Sequence, residues 1–384
     1  METPKRPVIT PHQLDLFTEP VVDIYRALEN EIFLMVAKRL KTSPDYGSDH
    51  VLRWQVEKMQ QLRILNQETI RALSRATGLA EKKIIEAIEQ VGVKTIKSVD
   101  KELEYAFEPL PIPNYIDQVM AAFVQQTFRE IDNFVNQTLI TTNYGEGAVT
   151  RMYRKIVEET TGRVLAGNIT VNKAIAETVI RWADKGIETA FIDRGGHVWS
   201  LERYADTVIR STVNRTYNRL RTERMAEYGV HTVLVSSLPD PREACSKIQG
   251  KVASLKRPSE NDTGYPSVYE FGYGTPGGIR GVNCRHMFYP YIPGLTKNNQ
   301  PQYDEATMKR NRELSQKQRY LERQVRRAKR SLMLAEEIGD EDTIQRYKRL
   351  VRARQAAVRE FVEEHGLVRR YDKERVIVRG GNYA

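Results

Sequence analysis

Cysteine is scarce in this chain of 384 residues: Cys245 and Cys284 are the only two. Two thiols exclude a disulfide-built scaffold and a four-cysteine zinc site. Long apolar runs are missing too. No stretch approaches the roughly 20 apolar residues that a bilayer crossing needs, so no membrane partner is expected. The opening residues, METPKRPVITPHQLDLF, lack an apolar core followed by a small-residue cleavage site, which argues against a secretory signal. A soluble protein of a cytosol-like compartment is expected. Histidine is limited to His12, His50, His197, His231, His286 and His365, which leaves little material for metal chemistry.

Charge is plentiful. The chain carries 60 Lys and Arg against 50 Asp and Glu, a formal net charge of +10, which by itself means only tolerance of polyanions. Its distribution says more. Residues 297–384 hold 22 basic and 14 acidic side chains, and within them residues 309–330 hold ten basic and two acidic.

The pattern predicts a mainly α fold. The segments are a helical N-terminal domain (1–108), a helical middle domain (114–228), a small α+β module (229–296) and a basic helical hairpin with a tail (297–384). Leu16, Val21, Ile24, Leu28, Ile32, Met35 and Leu40 recur at mostly helical steps. Residues 43–47 break that helix. A second runs through Trp54, Met59, Leu62 and Leu65 to a stop at Thr77-Gly78, and a shorter one carries Ile84, Ile85 and Ile88. Pro109, Pro111 and Pro113 form a stiff connector. Helical patterning returns over 115–228, with turns at 143–147 and at 193–196 between helices. The β-branched run 232–237 reads as a strand, and a helix is expected near 242–252. In the tail, Leu314, Leu321, Val325, Ala328, Leu332 and Ala335 make a heptad seam. Gly339-Asp340 interrupts it, Asp342 or Thr343 would cap the next helix, and Ile344, Tyr347, Val351, Val358 and Phe361 continue the seam. An antiparallel hairpin is the simplest packing.

Several groupings bear on chemistry. The loop 272–281 invites a phosphate-loop reading, but it lacks the lysine and hydroxyl residue that such a loop needs. A tight Gly-Gly turn is the better account. Cys245, Cys284 and His286 form the candidate metal cluster, with His231 or Asp240 as a further donor, since zinc takes a tetrahedral set of N, S or O ligands. The bland alternative is a buried cysteine pair and a hydrogen-bonded histidine. Thiol catalysis would pair Cys284 with His286, or Cys245 with His231. His197 reads as a packing or capping residue. In the basic helix, Arg319, Arg323, Arg326, Arg327, Lys329 and Arg330 would face a phosphate backbone, or else be balanced by acids such as Glu360, Glu363 and Glu364 on the second helix.

Four blocks, in order, resemble the phage minor capsid protein 2 family, within the Mu F-like head-morphogenesis group. They are DRGGHVWSLERYADTVIRSTVNRTYNRLRTERMAEYGV (193–230), LPDPREACSKIQGKV (238–252), GGIRGVNCRHMFYPYIPG (277–294) and QRYLERQVRRAKR (318–330). The resemblance implies a low-copy structural component near the portal vertex of a tailed double-stranded DNA phage or prophage, made in the bacterial cytoplasm. Its implied partners are the portal protein, other capsid components and packaged DNA, with self-association through helices; its implied role is in head assembly. No enzymatic activity and no cofactor is expected on this reading, zinc at the cysteine cluster aside. The rivals from other classes are a metal- or thiol-dependent enzyme built on 229–296 and a non-specific DNA-binding protein.

Overall fold

The computed structural model describes residues 9–42, 47–131, 139, 147–167, 169–193, 195–378 and 381–383. Residues 43–46 of the breaker, residues 143–146 of one expected turn and residue 194 of another lie outside the described residues. Apolar residues at helical spacing, Val21, Leu28, Ile32 and Leu40 among them, are buried along α1 (Pro11–Leu40). A 3-10 turn (Ser48–His50) leads into α2 (Val51–Gln60), where the buried Trp54 indole N–H donates to the Leu40 carbonyl at 3.3 Å.

Helix α3 (Leu62–Leu103) corrects the expected stop at Thr77-Gly78, because it runs through Gly78 without a break. Buried Leu73, Ala76, Ala80 and Ile84 carry one apolar face past the glycine. A mid-helix glycine costs about 1 kcal/mol against alanine, less than burying such a face returns. The proline-rich connector follows, free of regular helix or strand, before α4 (Ile116–Ile131).

Next come α5 (Ala148–Leu165) and α6 (Val171–Lys185), the latter capped by the Thr170 hydroxyl. Strands β1 (Glu188–Ile192) and β2 (Val198–Ser200) pair antiparallel, so the turn at 193–196 joins two strands and not two helices. Helix α7 (Leu201–Glu227) follows. Strand β3 (Thr232–Val235), buried along its whole length, is central between β4 (Val252–Ser254) and β5 (Phe288–Pro290), antiparallel to both. The helix expected near 242–252 shrinks to α8 (Glu243–Ser246).

Helices α9 (Glu305–Ile338) and α10 (Glu341–Glu364) form the hairpin, with Leu321 and Val325 of one packed with Val358 of the other. Its cap is corrected by one turn position: Asp340, not Asp342 or Thr343, accepts the Thr343 N–H at 3.0 Å. A last pair, β6 (Val376–Val378) and β7 (Gly381–Tyr383), is antiparallel. The fold is mainly α, with small sheets. No helix among the described residues is long and apolar enough to cross a membrane.

Two compact units divide the chain, each assembled from distant segments. One comprises Met1–Val21, Glu81–Arg129 and Asp206–Ser315; the other comprises Val22–Ala80, Glu130–Ala205 and Gln316–Ala384. In the first, the β3 sheet shares a core with α3 and α7 through Val99, Leu103, Met225, Val233 and Phe288. In the second, the buried Glu29 carboxylate accepts the N–H groups of Ile187 at 2.9 Å and Glu202 at 3.0 Å, joining α1 to the start of α7. Burial, the largest influence there, raises the Glu29 carboxyl pKa above its ordinary value.

Candidate functional site

In the first unit, the short helix α8 carries Cys245, and one turn later comes Gln249. The loop ahead of β5 carries Cys284 and His286. This loop has a compulsory shape. A Cβ on Gly278 would lie 2.0 Å from the Gly272 carbonyl oxygen, and one on Gly281 would lie 2.4 Å from the oxygens of Thr275 and Pro276. The glycines of 272–281 therefore serve backbone-to-backbone packing, as the tight-turn reading expects. Two arginines fasten the loop. Arg242 donates to the Val282 and Gly278 carbonyls, each at 2.9 Å, while the buried Arg280 donates to the Asn218 side chain at 3.0 Å and to the His286 carbonyl.

These constraints bring the three sequence-predicted ligands together. Cys245 Sγ stands 3.7 Å from Cys284 Sγ, and Cys284 Sγ stands 3.6 Å from His286 Nδ1. The potential ligand atoms of the three residues all lie within 4.8 Å of one another. Exposure is 1% for Cys245, 3% for Cys284 and 2% for His286. Neither His231 nor Asp240 joins the cluster among the described residues. Cys284 and His286 lie in irregular loop, and β5 begins at Phe288.

Electrostatics separate the two thiols. The Cys245 S–H, the largest influence, and the guanidinium of Arg280 hold Cys284 well below the ordinary thiol range despite its burial. Donation to Cys284 and burial push Cys245 up. Both cysteines are free thiols. Gln249, Arg242 and Arg280 carry no sequence signal beyond the step of four from Cys245 to Gln249. His197 sits on the β1–β2 turn, its ring 3.1 Å from the Asp193 carboxylate.

A second grouping lies in the other unit. Arg26, Arg323, Arg326, Arg327, Arg330 and Arg375 line a cavity of about 180 Å³ in which Glu202 is the one carboxylate among the described residues of the lining. Four of the six basic residues singled out in the 309–330 segment are among them; Arg319 and Lys329 are not. Glu202 pairs with Arg26 at 3.2 Å and with Arg326 at 3.0 Å, and Arg327 reaches Asp184 at 3.4 Å. The balancing acids at these positions come from the start of α7 and the end of α6. Arg26 and Arg375 join from outside α9, beyond the basic run at 309–330.

Comparison with known proteins bears on the whole chain. The model of the phage minor capsid protein 2 family matches residues 9–363. A structural protein of Lactococcus phage LL-H is 35% identical over 361 residues, covering 92% of this chain and 97% of that protein. A structural protein of Lactococcus phage mv4 is 44% identical over 113 residues, covering 29% of this chain and 92% of that protein. No solved structure gives a significant match. With the family model spanning both units and a relative aligned nearly end to end, the chain belongs to the phage minor capsid protein 2 family.

Proposed function

We propose that this protein is a low-copy structural component of the head of a tailed double-stranded DNA phage or prophage, sited near the portal vertex, where it acts in head assembly. In this reading its partners are the portal protein and other capsid components, and the arginine-lined cavity of α9 contacts packaged DNA. One observation carries the DNA contact: six guanidinium groups converge on a cavity with a single carboxylate among the described residues of its lining. A lining in which guanidinium groups outnumber carboxylates is matched by a phosphate backbone, bound through charge without base selection. Residues 309–330, with ten basic side chains to two acidic, continue the same charge along the helix.

Co-expression with the portal protein of the same phage, followed by particle imaging, tests the placement. Density at the portal vertex that disappears when this chain is omitted is the expected result. Normal infectivity from particles that lack the polypeptide would overturn the role in assembly.

A further inference from the structure

We propose that Cys245, Cys284 and His286 hold one zinc ion, a structural brace inside the small α+β module. Zinc–sulfur bonds of about 2.3 Å and a zinc–nitrogen bond of about 2.0–2.1 Å at tetrahedral angles set S···S at about 3.8 Å and S···N at about 3.6 Å. Two of the three separations, 3.7 Å between the sulfurs and 3.6 Å from Cys284 Sγ to His286 Nδ1, have those lengths, and the third donor pair lies within 4.8 Å.

The histidine tautomer agrees. Gln249 Oε1 accepts the Leu238 N–H at 3.1 Å, which fixes that atom as the amide oxygen. His286 Nε2, 2.9 Å from the same oxygen, must then be the protonated nitrogen. The Nδ1 lone pair is left facing Cys284. An imidazole that ligates with one nitrogen and donates its other N–H to a fixed acceptor is how protein zinc sites orient histidine.

Two thiolates and an imidazole, with no carboxylate in the group among the described residues, select zinc over magnesium or calcium. The near-complete burial of all three suits a structural role. Binding displaces the thiol protons to solvent and ties α8 to the loop before β5, closing 39 residues of chain.

The test uses the full chain, purified under reducing conditions without chelator. Elemental analysis should find close to one zinc per chain, and exchange with cobalt should give thiolate charge-transfer absorption with tetrahedral ligand-field bands. Cys245→Ser and Cys284→Ser should lose the metal. Gln249→Ala keeps all three donors and should weaken zinc about 10–100-fold in chelator competition. That variant remains informative if the cysteine variants fail to fold. Reduced wild-type protein that holds no zinc and shows no cobalt spectrum on loading would overturn the proposal. So would a Cys245–Cys284 disulfide in the native protein, or unchanged zinc in the serine variants.

Discussion

The guanidinium of Arg221 on α7 meets the carboxylate of Glu102 on α3 through both terminal nitrogens, and both side chains are buried. The Nη1 bond is 3.0 Å, the Ser98 hydroxyl adds a bond to the same carboxylate at 2.8 Å, and Arg221 Nε donates to the Phe288 carbonyl on β5. One buried ion pair therefore ties two long helices to the sheet of the same unit. Removing one partner strands a charge where water cannot reach it. Glu102→Ala should cost about 3–5 kcal/mol, read by denaturant unfolding of the full chain. Since Arg221→Met in the same molecule removes the stranded charge, the double variant should lose less than the two single losses added. Additive losses would show that the pair does not act as a unit.

Gly78 is a position where sequence reading and structure part company, and it offers a clean test. It lies mid-helix, with open space where a Cβ would project. Gly78→Ala should stabilise the chain by about 0.5–1 kcal/mol, seen as a higher denaturant midpoint with unchanged m-value. A helix that ended there with a left-handed glycine would respond with a loss.

The same residue shows what a linear reading can resolve. Thr77-Gly78 has the composition of a helix end, and only the buried run on either side decides otherwise. Periodicity was sufficient where a whole face is apolar: the α9–α10 seam places Leu321, Val325 and Val358 together as spacing predicts. The strand Thr232–Val235 was legible from β-branched residues between a glycine and a proline. Cap choice was not, because Asp340, Asp342 and Thr343 are all competent and backbone geometry selects among them. At the candidate sites, Cys284 and His286 could be paired from their spacing, and Cys245 from its being the other thiol. Gln249, Arg26 and Arg375 could not, since tertiary packing alone brings them to their sites.

The loop that presents Cys284 and His286 depends on bare backbone at Gly278. A methyl group there would overlap the Gly272 carbonyl, 2.0 Å from its oxygen and 2.3 Å from its carbon, and neither is a flexible side-chain end. Gly278→Ala should destabilise the first unit by about 1–3 kcal/mol. Hydrogen exchange should localise the loss to 272–288 and leave the α9–α10 hairpin protected. Uniform loss across the chain would contradict this picture.

The arginine-lined cavity predicts a salt-dependent affinity for duplex DNA of any sequence. Each phosphate contact contributes a slope of about −0.9 in the logarithm of affinity against the logarithm of salt. Arg323→Ala and Arg330→Ala should each lower the magnitude of that slope by about 1, with equal effect on unrelated sequences. Glu202→Gln, which removes the cavity's carboxylate, should raise affinity if the fold is retained. Variants that bind as wild type across the salt range would remove this surface from the DNA contact.

Asp193, on the β1–β2 turn, should carry a readable pH signature. Its carboxylate accepts the Trp199 indole N–H at 3.0 Å, the His197 backbone N–H at 3.0 Å and the Gly195 N–H at 2.9 Å. The indole bond first, then the backbone donors, hold its pKa well below the ordinary carboxylate range. A folded pKa below the unfolded value of about 3.9 means that the carboxylate's stabilisation is fully present above that value. It is lost as pH falls through the lower, folded pKa. The Trp199 indole N–H resonance should therefore hold its shift as pH falls through 4 and move only in stronger acid. In Asp193→Asn that movement should vanish, because the amide does not titrate. An indole shift that titrates with a midpoint at or above the ordinary aspartate value would mean that the turn does not hold its carboxylate as the three bonds require.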